Sequence, residues 1–279
     1  QFEFIVCHNG STDDSVAMVR DEFPDVLRLP QDDNLGFPQA CNLGIAASRG
    51  AWVCMLNNDT EADERWAEAL VRAAERAPAR CGMLQSLMLY QSRPNTINST
   101  GIDISPLGSG SDRNEGKPRR EGDRAEEIFC PTAGAAAYRR TMLDAIQTER
   151  GYFDRDHFLY YEDLDLGWRA RLAGWTARYI PDSVVHHQWH GSSDRHDQAW
   201  LRGLARTNRV RTIVKNGSWQ MLLRTAPVMT QILLERIWHD GRRGAREWRQ
   251  AAREAWRRRR RVEALRTEDR RRVERTWTR

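Results

Sequence analysis

Residues 51–59 read Ala-Trp-Val-Cys-Met-Leu-Asn-Asn-Asp, an apolar run that stops at a carboxylate. A buried strand delivers a charged group in this way to the C-terminal edge of a sheet, where ligands bind in open α/β folds. Asp59 is therefore expected at a strand edge. A second concentration of acid, Glu162, Asp163 and Asp165, follows Tyr160-Tyr161 and precedes Gly167-Trp168-Arg169-Ala170-Arg171-Leu172. This pattern reads as a helix whose first turn carries the acids, where the helix dipole favours negative charge. Two separate carboxylate groups suit a metal ligand and a base. Taken alone, Asp59 could equally cap a helix starting near Glu61, and the acids could be no more than an acidic helix start. His186 and His187 close a later apolar run, and because successive strand residues face opposite sides, only one of them can join a site there.

The elements that must position these groups alternate. Strands are predicted at 2–7, 26–29, 51–57 and 82–90, with helices between them at 15–22, 37–48 and 61–77, where Trp66, Leu70, Val71 and Ala74 recur at helical spacing. Such alternation is the mark of βαβ units and predicts an α/β fold with a mostly parallel central sheet. The polar turn at 9–14 suits base and ribose recognition at the sheet edge. Asn34 and Gly36 fit the next loop, where a backbone close to a ligand needs glycine. Residues 91–127 are rich in Ser, Gly, Pro, Asn and charge, and are too long for an ordinary connection, so a functional loop or a disordered segment is expected there. A strand near 128–131, a small-residue turn at 132–135, a helix near 140–146 and strands at 176–180 and 183–187 complete this part.

The overall charge of +5 conceals an asymmetry. Residues 1–198 hold 21 Lys and Arg against 31 Asp and Glu, whereas residues 199–279 hold 23 against 8, so the body is −10 and the tail +15. A basic segment of this kind seeks an anionic partner. The stretch 219–238 is apolar but interrupted by Arg224, Pro227, Gln231, Glu235 and Arg236, which fits a helix lying on a membrane better than one crossing it. The arginine run 257–261, flanked by Trp248 and Trp256, would add a cationic and aromatic surface suited to anionic headgroups. The expected division is a body at 1–198 and a separable membrane-associating tail at 199–279. Nucleic acid is not expected as a partner, since the acidic body repels phosphate backbones. The five cysteines show no CxxC spacing and read as small buried residues of a reduced, cytoplasmic protein.

Several ordered motifs carry a resemblance. They are Asn9-Gly10-Ser11-Thr12-Asp13, Asn34-Leu35-Gly36-Phe37 with Asn42-Leu43-Gly44, Leu56-Asn57-Asn58-Asp59-Thr60, Gly151-Tyr152-Phe153-Asp154 running into Tyr160-Tyr161-Glu162-Asp163-Leu164-Asp165, and Val184-Val185-His186-His187. Together they resemble the inverting glycosyltransferases of family 2, which carry the nucleotide-sugar-binding GT-A fold, and particularly a rhamnosyltransferase-like branch; Arg206-Thr207-Asn208-Arg209 also looks like that branch. The resemblance implies transfer of a sugar, rhamnose among the candidates, from a nucleotide-sugar donor to a lipid-linked or polysaccharide acceptor in cell-envelope glycan synthesis, by an enzyme at the inner face of the cell membrane. It implies Asp163 as the catalytic base, Glu162 as its neighbour in acceptor binding or base orientation, and Trp168 in acceptor binding. Donor contacts would come from Asn9, Asp13, Asn34, Gly36, Asn58 and Gly134, with residues 91–127 lying over the donor site. Asp59 and His186 would hold a divalent metal, Mg²⁺ or Mn²⁺, with His190, Ser192 and Ser193 near the diphosphate. The family's DXD motif reads Asn57-Asn58-Asp59 here, and His8 stands where an acid is usual. The family also carries an earlier strand, loop and helix, which this sequence does not contain. The competing expectations are a catalytically inactive relative that binds sugar nucleotides and, through the basic tail, a nucleic-acid-binding protein.

Overall fold

The computed structural model describes residues 2–120, 122–188 and 197–278. It opens with β1 (Ile5–Asn9), α1 (Ser15–Glu22), β2 (Leu27–Gln31) and α2 (Phe37–Ala47), followed by β3 (Trp52–Leu56), β4 (Thr60–Ala62), α3 (Trp66–Glu75) and β5 (Cys81–Tyr90). β5 is buried along its whole length, as its run of Met, Leu and Cys requires of a central strand. The expected polar loop at 91–127 instead contains four strands, β6 (Arg93–Ser99), β7 (Ile102–Ile104), β8 (Gly110–Asp112) and β9 (Glu126–Ile128). Its Ile residues at 97, 102, 104 and 128 are buried, too few and too scattered to show as periodicity. β10 (Ala135–Arg139), α4 (Arg140–Ile146), α5 (Glu162–Leu172) and β11 (Thr176–His187) complete the body.

The main sheet has the order β3-β10-β5-β11-β4, with β6 beside β5 and β9 beside β11. It is mixed, which corrects the expectation of a mostly parallel sheet: among the described strands only β1 with β2 and β5 with β11 run parallel. The reason is the chain's excursion through β6–β9. β6 returns on β5 as a hairpin, and β10 then enters antiparallel between β3 and β5.

The tail is three helices, α6 (Gln198–Asn216), α7 (Trp219–Leu265) and α8 (Arg270–Trp277). α7 doubles back at Gly241, whose φ of 56° and ψ of −138° leave the helical region. The two halves face each other, since Arg236 pairs with Glu247 at 2.6 Å and the rings of Trp219 and Trp256 lie 5.4 Å apart. The tail is not a detachable element. Ile213, Met221, Val262 and Val273 belong to the main core. The backbone amides of Thr267 and Glu268 both donate to the carbonyl of Leu172 at 2.9 Å, and Arg171 stacks over Trp277 at 4.3 Å. α5 is consequently buried on every side, between the sheet and the tail. Among the described residues no helix is long and apolar enough to cross a membrane. All five cysteines are free; Cys41, Cys81 and Cys130 are buried as expected, Cys7 is half-buried and Cys54 is exposed.

Candidate functional site

β3 ends at Leu56 and the chain turns through Asn57, Asn58 and Asp59, because the apolar run gives out where the sheet meets solvent. The amide of Asn57 donates to the carbonyl of Gly134 at 3.0 Å, and one residue earlier the amide of Ala133 donates to Asp163 Oδ2 at 3.4 Å. The small-residue turn at 132–134 thus has the strand end of Asp59 on one side and the acid cluster on the other. The fit at Gly134 is tight, since a Cβ there would come within 3.1 Å of Met88 Cε. Asn58 is exposed beside this turn.

Asp59 is mostly covered, and its Oδ1 lies 3.3 Å from His187 Nε2 with no hydrogen bond among the described residues. The pairing of β4 with β11 sets this contact by placing Thr60 opposite His187. His186 points the other way, 3.3 Å from Asp63, so the histidine beside Asp59 is His187 and not His186. Nδ1 of His187 lies 2.9 Å from Asn98 Oδ1. In the tautomer that donates from Nδ1 to Asn98, Nε2 is the nitrogen available to a ligand beside Asp59. A buried carboxylate oxygen without a donor and an imidazole nitrogen 3.3 Å away fit a divalent cation between them, one that takes its other ligands from phosphate and water. Among the described residues there is no group of three His, Cys, Asp or Glu side chains able to enclose a metal. His190, Ser192 and Ser193 lie outside the described residues.

The acids at the start of α5 sit in three different environments. Burial, with Asp163 next to it, pushes Glu162 well above the ordinary carboxylate range, and its Oε2 has no hydrogen-bond partner among the described residues. Burial also raises Asp163, against the opposing amides of Leu164 and Ala133, and this side chain is the more accessible of the two. Asp165 is fully buried, yet its cations outweigh the effect of burial: Lys215 lies at 2.9 Å and Arg169 at 3.0 Å, and together they hold it below the usual range. Asn216 adds a hydrogen bond at 2.7 Å. Asp165 is therefore an ionised anchor, whereas burial favours the neutral forms of Glu162 and Asp163.

The approach to these acids is strained. Phe158, Tyr160 and Tyr161 have φ of 61°, 68° and 72°, a region that side chains with a Cβ rarely adopt. Asn208 on α6 holds them there: its Nδ2 reaches the carbonyls of His157 at 2.7 Å, Leu159 at 2.9 Å and Tyr160 at 3.0 Å. Asp112, on β8, is a further acid with no signal in the sequence. Burial pushes it up to about 6, helped by nearby Asp163 and Glu115 and opposed by Ser99 and His187.

The other expected residues divide. Asn9 and Asn34 come together, Asn9 Nδ2 donating to Asn34 Oδ1 at 3.0 Å, while the Leu35 amide donates to Asn9 Oδ1 at 2.8 Å. Asp13 accepts from the amide and hydroxyl of Ser15 at the start of α1. Gly36, with φ of 81°, is required by its approach to Phe158, where a Cβ would stand 2.6 Å from the ring. Its glycine thus answers to packing under the strained turn. Trp168 is fully buried against Phe129, with ring centroids 6.1 Å apart, and cannot touch an acceptor. It belongs to the main core.

Comparisons with known proteins place the chain in a family and a fold. The model described as glycosyl transferase family 2 matches residues 1–147. Over 209 residues the chain is 30% identical to the N-acetylglucosaminyl-diphospho-decaprenol L-rhamnosyltransferase of Mycobacterium tuberculosis (strain CDC 1551 / Oshkosh), with 67% of each chain covered. The structure of GalNAc-T7 with UDP, GalNAc and Mn²⁺ superposes with a TM-score of 0.62 at 15% identity, covering 89% of this chain and 48% of that one. The chain therefore spans about half the length of that protein. S. aureus TarS 1–349 in complex with UDP gives a TM-score of 0.51 at 16% identity, covering 95% of this chain and 74% of the other. At these identities the two structures show the fold, which is GT-A.

Proposed function

Since the chain belongs to glycosyl transferase family 2, with a rhamnosyltransferase of lipid-diphosphate-linked N-acetylglucosamine as a relative, we propose that it transfers a sugar, with L-rhamnose the first candidate, from a nucleotide donor to a lipid-linked acceptor in envelope glycan synthesis, with inversion. The observation that carries this reading is the pair of groups on either side of the 132–134 turn, the Asp59–His187 pair and the raised Asp163. Asp59 and His187 would hold a divalent cation, which when bound offsets the charge developing on the departing diphosphate. Asp163, partly accessible and held by two backbone amides, takes the proton of the acceptor hydroxyl. As that oxygen forms its bond to the anomeric carbon, the bond from that carbon to the diphosphate oxygen breaks on the opposite face. The nucleoside diphosphate leaves with the electron pair. Glu162, kept protonated by burial, donates a hydrogen bond that orients the acceptor or the base. Asn9, Asn34 and Asp13 form the loop edge where the nucleotide sits, with Asn58 and Gly134 bordering the diphosphate.

The test has two parts. Calorimetry with UDP and other nucleoside diphosphates, with Mn²⁺ or with EDTA, should show metal-dependent affinity that is lost in Asp59→Ala and His187→Ala and kept in His186→Ala. Transfer should then be measured with a panel of nucleotide-activated sugars and an N-acetylglucosaminyl-diphospho-lipid. Metal-dependent binding without turnover of any donor would instead favour an inactive sugar-nucleotide-binding relative.

A further inference from the structure

The tail's charge is not spread evenly over its surface. Arg258 is drawn inward to Asp154 and Asp156, Arg259 donates to the carbonyls of Val214 and Gly217 at 3.0 and 2.6 Å, and Arg236, Arg243, Arg266 and Arg270 are paired with acids. Arg236, Arg258, Arg259 and Arg270 tie the fold together, whereas Arg243 makes only an exposed pair within its own helix. Arg242, Arg246, Arg249, Arg253 and Arg257 are different: all five are exposed, and no ion pair engages them among the described residues. Their spacing of four, three, four and four residues places them on one face of the second half of α7, opposite the buried Gly244, Ala251, Ala255 and Val262. From first to last they span about 22 Å of helix.

The same five arginines, with Ile237, line an open groove of about 910 Å³ at the Gly241 bend. Glu254 also borders it, but it is turned toward Gln250 at 2.9 Å and Arg258 at 3.6 Å. The first half of α7 brings an apolar edge to the same end: Leu234, Ile237 and Trp238 are exposed, Trp238 by 86%. Leu223 lies further along the same face. A bare row of cations beside aliphatic and indole side chains is the chemistry of a membrane interface, where guanidinium groups meet phosphate and the apolar tips enter the acyl boundary. A nucleic acid backbone would use the arginines but would leave Leu223, Leu234 and Ile237 in water.

We propose that the helical hairpin of α7 is a docking edge for an anionic phospholipid bilayer, with Arg242, Arg246, Arg249, Arg253 and Arg257 on the headgroups and Leu234, Ile237 and Trp238 inserted at the bend. This rests on the tail's own chemistry and not on the identity of the transferred sugar or its acceptor.

The full chain should be sedimented with phosphatidylcholine vesicles with and without phosphatidylglycerol. It should bind the anionic vesicles and be released by salt. Replacing all five arginines by Gln should weaken binding by roughly 3,000-fold, at about 5-fold for each residue. Trp238→Ser should weaken it several-fold at any salt concentration. Both variants should keep the wild-type circular dichroism spectrum and nucleoside diphosphate affinity, so that failure of docking and failure of the donor site are read separately. Equal binding to neutral and anionic vesicles, unchanged binding of the arginine variant together with Trp238→Ser, or tighter binding to single-stranded RNA than to anionic vesicles at equal phosphate concentration would each overturn the proposal.

Discussion

Asn208 belongs to α6, far along the chain from the acids, yet its removal should be felt most at Asp163. The two protons of its Nδ2 are shared among three carbonyls, those of His157, Leu159 and Tyr160, and its Oδ1 accepts from Arg211 at 2.7 Å. The backbone it braces holds three non-glycine residues at positive φ, each costing about 1–3 kcal/mol relative to ordinary conformations. With Asn208→Ala, buried carbonyls lose their donor at about 1–3 kcal/mol each, while relaxation of the strained turn returns part of that loss. A net destabilisation of about 2–4 kcal/mol follows, or a fall in Tm of about 5–12 °C for a chain of this size. If the turn relaxes, Glu162 and Asp163 move off their positions, and a displacement of about 1 Å at a reacting group costs on the order of 100-fold in rate. Nucleoside diphosphate affinity should stay within about threefold, because Asp59 and His187 are carried by β3, β4 and β11. The isosteric Asn208→Asp should be worse than Ala, since it places an anion against three carbonyls. The assay is kcat for transfer, measured well below the Tm, alongside calorimetric donor affinity. Normal kcat in Asn208→Ala, or a loss of donor affinity in step with kcat, would refute the idea that Asn208 positions the acid turn.

Asp163→Asn should keep metal-dependent nucleotide binding and lose transfer by roughly 100-fold or more; a normal rate there with a loss in Glu162→Gln would move the base to the neighbour. Because burial raises Asp163, it should protonate, and kcat/KM should fall, at a pH above the ordinary carboxylate range, which a pH–rate profile would show. Glu162, whose folded pKa is raised further, contributes stability that is present below its unfolded pKa and lost as pH rises through the folded one. Glu162→Gln should accordingly raise the Tm at neutral pH and have little effect in acid. Asp165 has the opposite sign, its folded pKa being lowered, so its contribution is present at neutral pH and lost as pH falls through that lowered value. Truncation after residue 215 should give an aggregated or unfolded chain, because it exposes α5; a soluble, nucleotide-binding product would contradict the packing of α7 and α8.

The features legible in the sequence were those that depend on local pattern and order. The run ending at Asp59 had to be a strand that delivers a carboxylate at its end, and the acids after Tyr161 had to open a helix, since each is written in consecutive residues; that the strand is buried was not borne out, because β3 lies at the end of the main sheet with only Val53 buried. The motif order was enough to identify the family. Features set by partners distant in sequence were not legible. Strand alternation says that His186 and His187 face opposite ways, but only the pairing of β11 with β4, beyond a register shift between Ile180 and Val184, turns His187 toward Asp59. Trp168 looks like an aromatic beside a catalytic turn until the fold buries it completely against Phe129. The basic tail reads as one cationic surface, yet Lys215, Arg258 and Arg259 are consumed by buried partners, while Arg242, Arg246, Arg249, Arg253 and Arg257 line one exposed helix face. Asp112 and Asn98 lie in a polar stretch with no periodicity to mark them. Charge and hydrophobic pattern report what a residue can do, but the packing of distant segments sets the burial and the neighbours that decide what it does.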